Sequence, residues 1–154
     1  SGFFEFDAIR PLIEVTDKFL FDLKGEGLGL QSLCFDRQNR QGIVPKNIIP
    51  THQHIKQENL DRNLKNLAQL LPLNKVEEVR LVYVANFFDA EKLLERVAAL
   101  LKDYPDVLFK IIRMHTKGAR DAEGLTPYVP TVEQTQALEN YAKSCGLTKI
   151  VTIL

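Results

Sequence analysis

The stretch Val79-Arg80-Leu81-Val82-Tyr83-Val84 reads as one strand of a parallel sheet. It is dense in valine and contains no turn former, as strands buried on both faces tend to be. Three further runs share its length and character. Lys18 to Lys24 (Lys-Phe-Leu-Phe-Asp-Leu-Lys) comes before it, and Val107 to Met114 and Lys149 to Leu154 come after.

Helical patterns separate these runs. Between the first and second, Leu60, Leu64, Leu67 and Leu71 recur at helical spacing until Pro72. After the second, Asp89 is a good N-cap, and Leu93, Leu94, Val97 and Leu101 turn inward before Tyr104-Pro105 stops the helix. After the third, Thr131 and Gln134 spell a capping box, Leu138, Tyr141, Ala142 and Cys145 mark an inner face, and Gly146 supplies the left-handed turn. A helix from Asp7 to Val15 leads into the first strand, with Pro11 tolerated only in its first turn. The order β-α-β-α-β-α-β with short connections requires parallel strands and right-handed crossovers. The expected fold is α/β, four parallel strands covered by helices, with residues 1–154 as a single domain.

Two stretches break the rhythm. Residues 25–56 hold Gly25, Gly27, Gly29, Gly42, Pro45 and Pro50 with no sustained period, and read as an irregular insertion. Residues 116–130 read as a polar loop ending Pro127-Tyr128-Val129-Pro130. Both follow the C-terminal end of a strand, where α/β folds place their sites.

Composition narrows the function classes. Twenty basic residues balance twenty acidic ones, so no net field draws in nucleic acid or an anionic membrane surface. Apolar runs fall far short of a membrane span, and no signal peptide is expected. The two cysteines, Cys34 and Cys145, stand in unlike contexts and suggest a reducing compartment, so the expected location is cytoplasmic.

The strand ends carry polar residues that burial alone would not choose. The first strand ends Phe21-Asp22-Leu23-Lys24, the second carries Arg80, and the third ends Arg113-Met114-His115. With Ser1-Gly2-Phe3 at the start and Glu14-Val15-Thr16-Asp17 before the first strand, this order resembles the radical S-adenosylmethionine activating enzymes of glycyl-radical enzymes, pyruvate formate-lyase activating enzymes among them. In that family a "VTD" segment precedes an "LDLK" strand. The resemblance spans nearly the whole chain outside the insertion.

The resemblance implies a partial (βα) barrel with S-adenosylmethionine at its C-terminal rim. It also implies a [4Fe–4S] cluster on a CxxxCxxC motif, and a 5′-deoxyadenosyl radical that takes hydrogen from a glycine of the partner. Matching positions make Asp22, Lys24, Arg80, Val82 and His115 the cofactor-binding residues. A carboxylate suits a ribose diol, and an ammonium suits the carboxylate of the methionine moiety. An Arg fork fixes carboxylates or carbonyls, the imidazole of His115 would sit against the adenine edge, and Val82 would touch the base from the same strand face as Arg80. Arg80 lies inside an apolar strand and therefore needs a partner, expected in the ligand or in the other half of the barrel.

The same comparison shows departures. Two cysteines cannot supply a three-thiolate cluster, so the chain is expected to be the C-terminal portion of such an enzyme, inactive by itself. The insertion replaces a short helix with a "TG" turn, and Val84-Ala85-Asn86-Phe87-Phe88 stands where many members have "VPG". The implied partners are a glycyl-radical enzyme, the N-terminal half of the barrel and a flavodoxin-type electron donor. A sheet cut from a barrel would also bury its open face by self-association or under the insertion. The competing reading is a cluster-free ligand- or protein-binding module on the same sheet.

Other candidates carry less. His52 and His54 form an H-x-H pair with too few ligands for a metal site, and Gly25, Gly27 and Gly29 lack dinucleotide-loop spacing. Cys145 reads as a small core residue.

Overall fold

The computed structural model describes residues 2, 4–23, 57–86, 88–118 and 122–154, with backbone alone at 57–60. A 3-10 turn (Asp7–Ile9) and α1 (Arg10–Val15) lead into β1 (Phe19–Leu23). Next come α2 (Gln57–Leu70), β2 (Val76–Tyr83), α3 (Ala90–Leu101) and β3 (Leu108–Arg113). A short α4 (Ala122–Leu125), a 3-10 turn (Thr126–Tyr128), α5 (Val132–Ser144) and β4 (Ile150–Ile153) complete the order. All three strand pairings are parallel, and the strands lie in chain order, β1-β2-β3-β4. The α/β architecture expected from the sequence is the one observed.

The helices begin and end for the reasons their sequences announce. Pro11 sits in the first turn of α1, where its missing N–H costs nothing. Asp89 caps α3 by accepting from the Lys92 amide at 3.0 Å. Thr131 and Gln134 close a reciprocal capping box on α5, and Gly146 (φ 98°) turns the chain toward β4.

One face of the sheet carries the core. Phe21 and Leu23 of β1, Val79 and Leu81 of β2, and Phe109 and Ile111 of β3 pack against Leu64, Leu67, Leu70, Leu93, Leu94, Val97, Leu138 and Ala142 of the helices. The opposite face is open among the described residues. Leu20, Val82, Val151 and Ile153 project from it and are exposed. Parallel sheets are ordinarily covered on both sides, so this one-sided burial is unusual.

Strand β2 starts three residues before the expected Val79. Its register slips between Phe19 and Leu20 of β1, which pair with Val76 and Glu78. The extra residue lets Val76 and Val79 both reach the core, and it hides the period-2 alternation that would have marked the start.

The stretch expected to be a polar loop, 116–130, contains α4 and a 3-10 turn. It is tied to the sheet at two points. The Ala85 amide donates to the Tyr128 carbonyl at 2.9 Å, and Arg113 Nε donates to the Pro130 carbonyl at 2.6 Å. Tyr128 is itself buried against Val84.

Candidate functional site at the C-terminal end of the sheet

The register brings the sequence candidates together. Asp22 of β1 stands opposite Arg80 of β2, and Arg80 stands opposite Lys110 of β3. Their parity places all three on the open face. Val82, two residues further along β2, shares that face opposite Ile112 and is 42% exposed. His115 follows just after the last ladder bond between β2 and β3, donated by the Met114 amide to the Tyr83 carbonyl at 3.1 Å, and is exposed. Lys24, the glycines at 25, 27 and 29, Cys34, His52, His54 and the 25–56 insertion lie outside the described residues.

A row of alternating charges crosses three strands. Arg80 Nε is 3.0 Å from Asp22 Oδ1 and 3.5 Å from Glu78 Oε1. Glu78 Oε2 is in turn 2.6 Å from Lys110 Nζ and accepts a hydrogen bond from it. The Arg80 partner expected in a ligand or a missing half is therefore supplied within this chain: parallel register places Asp22 beside it, and the two-residue period of β2 places Glu78 on the same face. The contact with Asp22 is an ion pair without hydrogen-bond alignment: Arg80 Nε is buried and finds no acceptor in line with its N–H. Asp22 (36%) and Arg80 (30%) are the most exposed members of the row, Lys110 is 21% exposed, and Glu78 (11%) is the most enclosed.

Behind the row, buried Asn63 of α2 donates from Nδ2 to the Asp22 carbonyl at 3.3 Å. One turn on, buried Asn66 donates to the carbonyls of Gly2 (2.7 Å) and Phe4 (2.8 Å). These bonds fasten the N-terminal segment and the end of β1 to α2.

Glu78, Lys110, Asn63 and Asn66 escaped the sequence reading. Lys110 had the same signal as Arg80, a charge inside an apolar strand, within Phe109-Lys110-Ile111-Ile112. Glu78 was hidden by the register slip, and the asparagines by their place on a helix whose leucines drew the attention.

In the segment after β2, asparagine stands where the "VPG" pattern has glycine. Asn86 adopts a left-handed backbone (φ 63°), the conformation for which asparagine is the usual substitute for glycine.

Among the described residues no group of three or more His, Cys, Asp or Glu side chains could hold a metal ion. No described helix is long and apolar enough to cross a membrane.

No protein-family model matches the chain, and no solved structure matches it. Among curated proteins it is 66% identical over all 154 residues to a protein of Haemophilus influenzae named "Putative glycyl-radical enzyme activating enzyme". The chain spans 59% of that relative's length, a coverage consistent with the expected C-terminal portion. At this identity over the whole of the chain the two are homologues.

Proposed function

We propose that this chain is part of an S-adenosylmethionine-dependent activating enzyme that generates a radical on a glycine of a glycyl-radical enzyme. The 66% identity to the relative so named carries this reading. The partial (βα) barrel would be the arc that four consecutive parallel strands supply, with its concave side on the open face.

The residues present fit the cofactor. Asp22 and Arg80 are paired on adjacent strands at the C-terminal end of the sheet, with apolar Val82 beside them and His115 at the rim. The carboxylate of Asp22 suits a ribose diol, and Lys24 and Arg80 suit the carboxylate of the methionine moiety. Val82 offers an apolar wall for the base, and His115 an edge-on polar contact. S-adenosylmethionine, when bound, supplies the radical chemistry; these side chains bind and orient it.

The residues do not fit the iron–sulfur cluster. The chain has two cysteines, Cys34 and Cys145, and the cluster of this superfamily needs three thiolates. The cluster, the N-terminal half of the barrel and the docking site for a flavodoxin-type donor then belong to sequence outside these residues, and the chain alone is inactive.

Calorimetry of the full-length gene product with S-adenosylmethionine tests the reading. Binding is expected, and Lys24→Ala should weaken it about tenfold or more, since it strips a charge partner from a carboxylate. Absence of binding to cluster-reconstituted protein would overturn the proposal in favour of a cluster-free binding module.

A further inference from the structure

We propose that Glu78 and Lys110 are positioning residues for Arg80, so that the charge row presents a preset guanidinium fork to an anionic group of the ligand. The ligand in question is the one proposed above, and the inference rests on that reading for its identity.

The geometry supports this division of labour. Both carboxylates approach Arg80 at the same atom, Nε: Asp22 from β1 at 3.0 Å and Glu78 from two residues earlier on β2 at 3.5 Å. Two carboxylates drawn to Nε by charge, without an aligned hydrogen bond, restrict where the guanidinium sits, and a fork so restricted loses less freedom on binding a carboxylate. Glu78 could not hold this place unaided. Its side chain is 11% exposed, and a carboxylate so enclosed is costly unless paired; Lys110 Nζ supplies the pair at 2.6 Å. Lys110 neutralises the carboxylate through its other oxygen, Oε2, and the four charges sum to zero.

An alternative is that Glu78 and Lys110 form a structural bridge between β2 and β3 with no bearing on Arg80. The two accounts differ in what happens at the guanidinium. If the bridge merely joins strands, Arg80 keeps its orientation when Glu78 is made neutral. If it positions Arg80, the guanidinium loosens.

The test uses the full-length gene product with ¹⁵N-labelled arginine, following the Arg80 Nε–H resonance by NMR, together with calorimetric titration of S-adenosylmethionine. Arg80→Lys assigns the resonance. Glu78→Gln and Lys110→Met should both shift and broaden the Arg80 signal while the rest of the spectrum stays native, and Lys110→Arg should restore it. Should either single charge removal unfold the protein, the double variant Glu78→Gln/Lys110→Met leaves no unpaired charge and gives the same readout. Affinity for S-adenosylmethionine should fall about tenfold in Glu78→Gln, and that loss should vanish in an Arg80→Lys background, as expected for coupled neighbours. An Arg80 resonance unmoved by these substitutions would overturn the positioning role whether or not the cofactor binds. A resonance that moves in a protein with no affinity for the cofactor would leave the positioning role standing and remove the cofactor reading alone.

Discussion

Arg113, the last residue of β3, donates from Nε to the carbonyl of Pro130 at 2.6 Å. This bond, with that from the Ala85 amide to the Tyr128 carbonyl at 2.9 Å, seals the 122–130 segment to the strand ends beside the candidate site. Arg113→Met keeps the apolar stem and removes the donor. It should cost about 1.5–3 kcal/mol in urea unfolding, the range for a hydrogen bond to a charged group. Amide exchange at Ala85 should quicken in the same variant; an unchanged exchange rate would show that the segment is held without Arg113.

Gly2 is packed too closely to carry a side chain. A Cβ there would collide with Asn63 Nδ2 and the ring of Phe21. Gly2→Ala should displace the N-terminal segment and destabilise the fold by about 1–3 kcal/mol, as overpacking of a filled site does. Asn66→Leu should cost about 2 kcal/mol or more, because it strands the carbonyls of Gly2 and Phe4. Denaturant midpoints of the two variants would check both, and wild-type values would refute the packing argument.

Acid should weaken α5 before it reaches the core. The backbone amide at Glu133 and the Thr131 side chain hold the Glu133 carboxyl below its ordinary value, and Lys143 does the same to Glu139. Lowered folded values mean stability that is present above the unfolded carboxylate value, near 4.5, and lost as pH falls through the depressed ones. Urea midpoints measured at pH 7 and pH 3 should therefore decline, and Glu139→Gln should flatten the decline.

The alkaline side has the opposite sign. Hydrogen bonding to Glu95 pushes the Tyr141 hydroxyl up to about 12. A raised folded value contributes stability that is whole below the unfolded value, near 10, and disappears as pH climbs toward 12. Absorbance titration should find a tyrosine ionising near 12, and Tyr141→Phe should remove that component.

Thr131→Ala should cost about 1 kcal/mol, the usual worth of an N-cap, because the 3.1 Å bond from the Gln134 amide is lost. Circular dichroism melts would measure it.

Local chemistry made most of this fold legible. Caps, proline stops and the leucine spacing of α3 are determined by neighbours within one or two turns, and Asp89, Thr131, Gly146, Leu93 and Leu94 all behave as their types require. What escaped depends on partners distant in the chain. The slip at Val76 is a property of two strands together, and the 3-10 turn after α4 is anchored by Tyr128 packing against Val84, far away in the chain. The site divides the same way. Asp22, Arg80 and Val82 were visible as polar or matching positions on strands; that Arg80 meets Asp22 follows only from register, and that it meets Glu78 from a strand start earlier than the sequence suggested.

Strand order that repeats chain order also has a kinetic meaning. The crossover between β2 and β3 occupies only residues 84–107, whereas that between β1 and β2 occupies 24–75. Closing the shorter loop loses less entropy, so β2, α3 and β3 should condense first, β4 join next behind α5, and β1 arrive last. Destabilising substitutions in β1 would then speed unfolding and leave the folding rate nearly untouched, while those at Leu93 or Ile111 would slow folding itself. The strand that brings Asp22 to the charge row is the one whose docking completes the protein.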